Sequence, residues 1–270
     1  SAAASPDTRR KLIDNLTQYC LDYGFDGVVL DWEPVTDPAD KTNYTALIEQ
    51  LKTSLSVHIL NLDVAVAAFG SEFYPSAISS IDRLHIMAYD MTNENHSSYE
   101  DASAAAVHWE YFGFPKSKII LGLPAFGRKA NWWYDGSYVP YDEIIAQYNP
   151  APDVDQVDGI YFNGIDTIRR KTRLMLENDY RGVMLWELTE DTHDKTSLLT
   201  AVSDEILFST PPDFNCDTDV DVYDLKHLSS QWLNTNCDSA NAWCLTADLD
   251  QSGSVTLEDF ALFALHWLSK

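Results

Sequence analysis

Five short runs of almost unbroken apolar residues mark the chain: GVVLDW (27–32), NLDVAVAAF (61–69), RLHIMAYD (83–90), KIILGLPAF (118–126) and RGVMLWEL (181–188). Residues 8–22, 41–57, 101–112 and 164–178 instead carry apolar side chains at helical spacing. A strand that is apolar on both faces is covered on both faces. The alternation therefore predicts a parallel sheet wrapped by helices, an α/β fold of the (β/α) TIM-type barrel kind. The barrel is expected to be shortened, because eight units take roughly 250 residues and the five runs lie within about 205. An open parallel sheet has two unpaired edges, to be covered by the N-terminal helix, by loops, by self-association with a second copy, or by the missing strands of a longer product.

Around 208–212 the pattern changes. A proline pair follows the last helical segment and acidic residues then recur at alternate positions, which predicts a barrel domain over 1–207, a linker over 208–212 and a second domain over 213–270. In that second domain DFNCDTDVDVYDLKHLSSQWL (213–233) repeats as DLDQSGSVTLEDFALFALHWL (248–268), an offset of 35 residues. Calcium takes oxygen ligands, and a twelve-residue loop can supply them from positions 1, 3, 5, 7, 9 and 12. The second copy places Asp248, Asp250, Ser252, Ser254 (through its carbonyl), Thr256 and Asp259 there, with Gly253 at the sharp sixth position. The first copy places Asp213, Asn215, Asp217, Asp219, Asp221 and Asp224 there, with Thr218 in place of the glycine. Each loop leads into an amphipathic segment, so a small all-α module with two Ca2+ sites is expected. Tandem loops that end in Asp and lead into one helix each resemble type I dockerins of secreted polysaccharide-degrading enzymes. Over 213–270 the resemblance implies a cohesin or cell-surface partner and an extracellular, bacterial setting.

Eighteen basic residues against forty-two acidic ones give a net charge of −24, which repels phosphate backbones and anionic membrane surfaces. Neither nucleic acid nor membrane is an expected partner. The opening SAAASPDTRR lacks the charged-then-apolar pattern of a signal peptide and reads as a processed or trimmed start. Cys20 stands alone, whereas Cys216, Cys237 and Cys244 crowd the last quarter. Cys237 and Cys244 can close a short loop in an oxidising compartment, but three neighbouring cysteines do not specify a pairing.

The stretch FDGVVLDWEP (25–34) sets two carboxylates, Asp31 and Glu33, at the end of an apolar run. Side chains alternate on a strand, so Val29, Asp31 and Glu33 share one face and Trp32 takes the other. Inward residues at the C-terminal end of a barrel strand line the active-site mouth. Two carboxyls one pleat apart repel, and partial burial raises at least one pKa, as a general acid at neutral pH requires. A buried ion pair, or an N-cap for the helix beginning near Asp40, is the plainer alternative. FDGVVLDWE resembles the signature of family 18 glycoside hydrolases, the chitinases and their relatives. HIMAYDM (85–91), ILGLPAFGR (120–128) and RGVMLWELTED (181–191) resemble later strands of the same family, in the same order.

The resemblance implies a chitinase-like glycoside hydrolase that cleaves β-1,4 N-acetylglucosamine linkages, with endo action expected. The mechanism it implies is substrate-assisted and retaining, with no protein nucleophile and no catalytic cofactor. Glu33 would act as general acid and then base, Asp31 would orient the substrate's acetamide, Tyr89 would hydrogen-bond it and Asp90 would hold the distorted sugar. Met87, Arg128 and Trp186 would contact substrate. Trp132 and Trp133 either stack on sugar or anchor their own loop. Chitin or chito-oligosaccharides are the implied substrates and the chitobiose core of N-glycans the alternative. A chitin-binding lectin that keeps the cleft but turns over poorly is the second reading. Three departures stand out: Val29 replaces an acidic residue of the signature, Asn163 in YFNG stands where relatives often carry another, and Glu33 comes too early. The family's catalytic Glu ends the fourth strand, so the five runs here correspond to the last five.

Overall fold

A computed structural model of the chain describes residues 5–209, 212–215, 217 and 219–267. Cys216, Thr218 and two residues of the expected linker, Thr210 and Pro211, lie outside the described residues. The chain divides into two compact units, Ser1–Ala201 and Val202–Lys270.

The first unit runs α1 (Pro6–Tyr23), β1 (Gly27–Leu30), α2 (Pro38–Ser56), β2 (Asn61–Ala67), β3 (Arg83–Met87), α3 (Tyr99–Phe112) and β4 (Ile119–Pro124). An insertion of β5 (Phe126–Lys129), α4 (Trp132–Asp135), β6 (Val139–Pro140), α5 (Tyr141–Tyr148), β7 (Gln156–Val157) and β8 (Ile160–Tyr161) follows. Then come α6 (Ile165–Glu177), β9 (Gly182–Trp186) and α7 (Leu198–Ser209), within which the division between units falls. Helix starts are set by local chemistry. Ser5 caps α1 by accepting from the Thr8 N–H, and Asp37 caps α2 by accepting from the Asp40 N–H at 2.8 Å. The α2 cap is thus Asp37, which leaves Asp31 and Glu33 free of that duty. The buried stripe of α2, Tyr44, Leu47, Ile48, Leu51 and Leu55, faces β2, and α1 docks on α2 through polar pairs: Arg9 to Gln50 at 3.0 Å and Thr17 to Ser54 at 2.9 Å.

The main sheet is parallel throughout, in the order β1-β2-β3-β4-β9. Central strands are dry, with Leu62, Val64, Leu84, Ile86, Leu121 and Leu123 all fully buried. The edge strands β1 and β9 are wetter: Val29 is 56% exposed and Trp186 51%. Val29 lies in register with Asp63 of β2, whose buried carboxylate accepts from Arg83 at 2.8 Å and bonds His85 at 2.9 Å. The insertion forms a second, antiparallel sheet in the order β6-β5-β8-β7, three of whose strands have only two residues. Strands that short leave no periodic trace in sequence. Tyr141 and Ile144 of α5 are buried with Phe126 and Phe162 as the core of this insertion.

Asn163, the second departure, is buried in a hydrogen-bond network. The ammonium of fully buried Lys171 donates to the Ser97 carbonyl (2.9 Å), the Ser97 hydroxyl (2.8 Å) and Asn163 Oδ1 (2.7 Å). Asn163 Nδ2 donates to the same Ser97 carbonyl at 2.8 Å, and Ser97 Oγ to the Ala88 carbonyl at 2.7 Å. An amide supplies both the acceptor for Lys171 and the donor for Ser97; an ionised carboxylate would supply only the first. The network pins the loop that follows β3.

The second unit holds α8 (Val222–Ser230), the short left-handed turn α9 (Ala242–Leu245) and α10 (Leu257–His266). They close on a core of Val220, Leu228, Ala247, Val255 and Phe263, together with a Cys237–Cys244 disulfide. Cys20, in the first unit, is a buried free thiol. Three hydrogen bonds recur in the two copies of the repeat. Asp224 accepts from the Asn215 and Asp221 N–H groups as Asp259 does from those of Asp250 and Thr256, and Asp213 accepts from Asp217 as Asp248 does from Ser252.

Burial pushes the Lys171 ammonium down to about 7, despite Asp155, Asp101 and Glu100 nearby. A depressed folded-state value means that the unfolded chain binds more protons from there up to the ordinary lysine value. This group's contribution to stability is therefore present above about pH 10 and is lost as pH falls toward 7. Lys171→Met should reduce the rise in stability between pH 7 and pH 9 by up to about 1.4 kcal/mol per pH unit. Urea unfolding of both proteins at the two pH values measures it.

Candidate active site

The C-terminal ends of β1, β2, β3 and β9 converge on a cleft of about 600 Å³ lined by Asp31, Glu33, Ala67, Ala68, Phe69, Met87, Tyr89, Asp90, Met91, Thr92, Trp132 and Trp186. Seven of the nine first-unit residues singled out from sequence lie in this lining. Arg128 stands behind the wall, and Trp133 is outside the lining. Phe69 was not foreseen; it is half exposed, meets His108 edge to face at 5.9 Å, and its place at the end of the apolar run 61–69 was the available signal. The peptide bonds Glu33–Pro34 and Trp186–Glu187 are both cis.

Asp90 organises one wall. Its backbone is left-handed, with φ of 60°, uncommon for a residue other than glycine. The Arg128 guanidinium donates to Asp90 through Nε and Nη2, both at 2.8 Å, and through Nη1 to the Ser137 carbonyl at 2.9 Å. Three rings enclose the same guanidinium: Trp132 at 4.3 Å, Tyr138 at 4.8 Å and Phe126 at 5.1 Å. Trp132 is fixed in turn by its Nε1–H to the Met91 carbonyl at 2.9 Å. Buried His96 brings Nδ1 to 3.6 Å from Asp90 Oδ1. Burial pushes the Asp90 carboxyl up, but the contacts to His96 and Arg128 outweigh it and hold the group below the usual carboxylate range.

Tyr89 crosses the cleft floor above Gly122, where a Cβ would lie 3.0 Å from the Tyr89 ring and 2.4 Å from the Ile86 carbonyl. Only glycine admits the ring there. Burial, then Asp90, Asp31 and Glu33, hold the Tyr89 phenol protonated, so it serves as a hydrogen-bond donor. Glu33 is exposed at the mouth, yet partial burial first, then Asp31, Glu72 and Asp90, raise its carboxyl above the usual range. The cleft thus sets a carboxyl with raised proton affinity beside an ionised one, a phenol donor and two exposed aromatic faces, Trp186 and Phe69. That arrangement suits proton transfer to and from a neutral, ring-faced ligand.

In the second unit Asp248, Asp250 and Asp259 each bring one carboxylate oxygen within 4.8 Å of the others. Asp248 and Asp259 are fully buried. Gly253, at φ of 91°, donates its N–H to Asp248 Oδ2 at 2.9 Å. Burial raises the Asp248 carboxyl, a strain that a bound divalent cation would relieve. The donor set is all oxygen and fits a hard cation. Among the described residues the first loop yields no such convergence of acidic oxygens.

The model of glycosyl hydrolases family 18 matches residues 1–191. A probable endochitinase of Caenorhabditis elegans is 28% identical over 156 residues, which cover 47% of this chain and 25% of that protein. The chain therefore spans only a quarter of that relative's length. The crystal structure of the GH18 chitinase ChiB of Flavobacterium johnsoniae superposes with a TM-score of 0.68 at 27% identity, covering 74% of this chain and 66% of ChiB. The chitinase-like agglutinin of Robinia pseudoacacia shares the fold, with a TM-score of 0.65 at 21% identity over 76% of this chain and 74% of its own.

Arg128→Met should leave the Asp90 carboxylate without its main partner and lower stability by about 1–3 kcal/mol at pH 7. Because Asp90 titrates low in the fold, its contribution is present above the ordinary aspartate value and lost as pH falls below it. The difference between the two proteins, read by urea unfolding, should shrink at pH 3.

Proposed function

The chain belongs to glycosyl hydrolases family 18, and from that premise we propose that it cleaves β-1,4 linkages of N-acetylglucosamine in chitin or chito-oligosaccharides. The observation that carries the proposal is the Glu33 carboxyl, lifted in proton affinity and set in one cleft with Asp31, Tyr89, Asp90 and the exposed face of Trp186. The ring of the sugar that loses its bond rests on Trp186. Glu33 donates its proton to the glycosidic oxygen as the C–O bond breaks. The 2-acetamido oxygen of the same sugar attacks the anomeric carbon, so the substrate supplies the nucleophile. Asp31 steers the acetamide and stabilises the positive charge of the cyclic intermediate, while the Tyr89 hydroxyl donates to the acetamide oxygen. Ionised Asp90 accepts from sugar hydroxyls. Glu33, now a carboxylate, takes a proton from the water that opens the intermediate, which restores the starting state and retains the anomeric configuration. Arg128 acts through Asp90 and Trp132, holding both in place.

A second reading, a chito-oligosaccharide-binding lectin with poor turnover, is favoured by the openness of the cleft: Asp31 and Glu33 are exposed, so the acid is less shielded from water than catalysis prefers. Hydrolysis of chitotetraose, with Glu33→Gln as control, separates the readings. The enzyme reading expects turnover that falls at least 100-fold in Glu33→Gln with affinity retained. Binding without turnover in either protein establishes the lectin.

For residues 213–270 the proposed role is a dockerin-like module for a protein partner of the cohesin or cell-surface kind. Two calcium ions would be held by the loops 213–224 and 248–259, the second through Asp248, Asp250 and Asp259, and would stabilise the fold without entering the sugar chemistry. The Cys237–Cys244 bridge supports an extracellular setting. Calorimetry with and without a chelator should show one transition moving down by several degrees and the other unmoved. Identical scans would remove the metal.

A further inference from the structure

A carboxyl outside the proposed machinery stands behind the cleft wall. Glu72, in the loop after β2, accepts from the Ala67 N–H through Oε1 at 2.9 Å, while its Oε2 is buried with no hydrogen-bond partner among the described residues. Ala67 faces both ways. It lines the cleft with Glu33, and its carbonyl accepts from Trp109 Nε1 at 3.1 Å and the Gly70 N–H at 3.2 Å. A Cβ on Gly70 would meet the two Glu72 oxygens at 2.1 and 2.2 Å, so the carboxyl as it stands fills the space a side chain at residue 70 would take.

The charged groups that face Glu72 divide by side. Lys41 from α2 and His108 from α3 favour its ionised form, weakly against the burial that raises it. Toward the cleft stand Glu33 and Asp31, and the buried ring of Tyr44 bridges the two sides, packing on Trp32, the residue between those carboxyls, at 5.3 Å and on Phe73, the neighbour of Glu72, at 6.2 Å. Glu72 itself is set in the buried wall, where a charge is screened less than at a surface.

We propose that Glu72 is a positioning residue for Glu33: a second carboxyl, set behind the Ala67 wall, whose charge fixes the pH at which Glu33 releases its proton. Its relevance to turnover rests on the acid–base role given to Glu33 above, whereas the claim about the proton stands apart from it. Glu72→Gln keeps the acceptor for Ala67 and removes the charge. In the full chain carrying 13C-carboxyl-labelled glutamate, with the Glu33 signal assigned through Glu33→Gln, the Glu33 midpoint should fall by about half a pH unit or more in Glu72→Gln. Glu177→Gln, an equal charge change on the exposed end of α6, should leave it in place. An unmoved Glu33 midpoint in Glu72→Gln overturns the proposal. Should that variant not fold, the unaltered chain decides: the Glu33 signal must inflect a second time at the midpoint of Glu72, assigned through Glu72→Asp, and a single inflection overturns it equally. Hydrolysis that survives Glu33→Gln would instead remove the acid–base role and leave the titration result untouched.

Discussion

Two parallel hydrogen bonds from Arg128 to Asp90 join the two sheets of the first unit. Asp90 follows β3 of the parallel sheet, and Arg128 belongs to β5 of the antiparallel insertion, so the pair fixes where the insertion stands over the strand ends. Much else hangs on it. The left-handed turn at Asp90 aims its carboxyl at the guanidinium, the three rings around that guanidinium include the cleft's Trp132, and His96 closes the other side. A pair that is partly screened from water, bidentate and enclosed by aromatic faces is worth more than a surface ion pair, because neither partner has water ready to replace the other.

A second constraint is the crowding of acids on the inner face. Asp31, Glu33, Glu72 and Asp90 gather near one mouth in a chain of net charge −24, and Asp90 responds to the crowding differently from Glu33 and Glu72. Asp90 is neutralised by Arg128 and lies low. Glu33 and Glu72 have no cation at bonding distance among the described residues, and burial pushes both up. Environment, more than residue type, separates the roles of these carboxyls.

How much of this could be read from the chain depended on range. The five parallel strands and four of their helices followed from apolar runs and helical spacing, which are local signals, and their limits fall within a few residues of those expected. The strands β6, β7 and β8 have two residues each and exist through partners, so no local pattern announced them. Asp31, Glu33, Tyr89, Asp90 and Trp186 were legible because they sit in motifs. Phe69, His96 and Glu72 were not, since what they do depends on contacts across the fold: Glu72 acts through Ala67, and His96 through the turn at Asp90. Asn163 read as an unexplained substitution until Lys171, eight positions along and one helical face over, proved to need its oxygen.

The order of strands carries a consequence for how the cleft assembles. Pairings from β1 to β4 join neighbours along the chain, separated by one connection each, and these can close progressively. β4 and β9 are different: Pro124 lies opposite Trp186, with the whole insertion and α6 between them. Loop closure over that span carries a larger entropic penalty than any other pairing in the sheet, and β9, being an edge strand, is held from one side only. It is therefore the strand to arrive last in folding and to fray first in the native state. Trp186, part of the cleft lining, rides on it, so a ligand resting on that ring would also clamp the sheet shut, and the protein's most labile strand would be the one such a ligand secures.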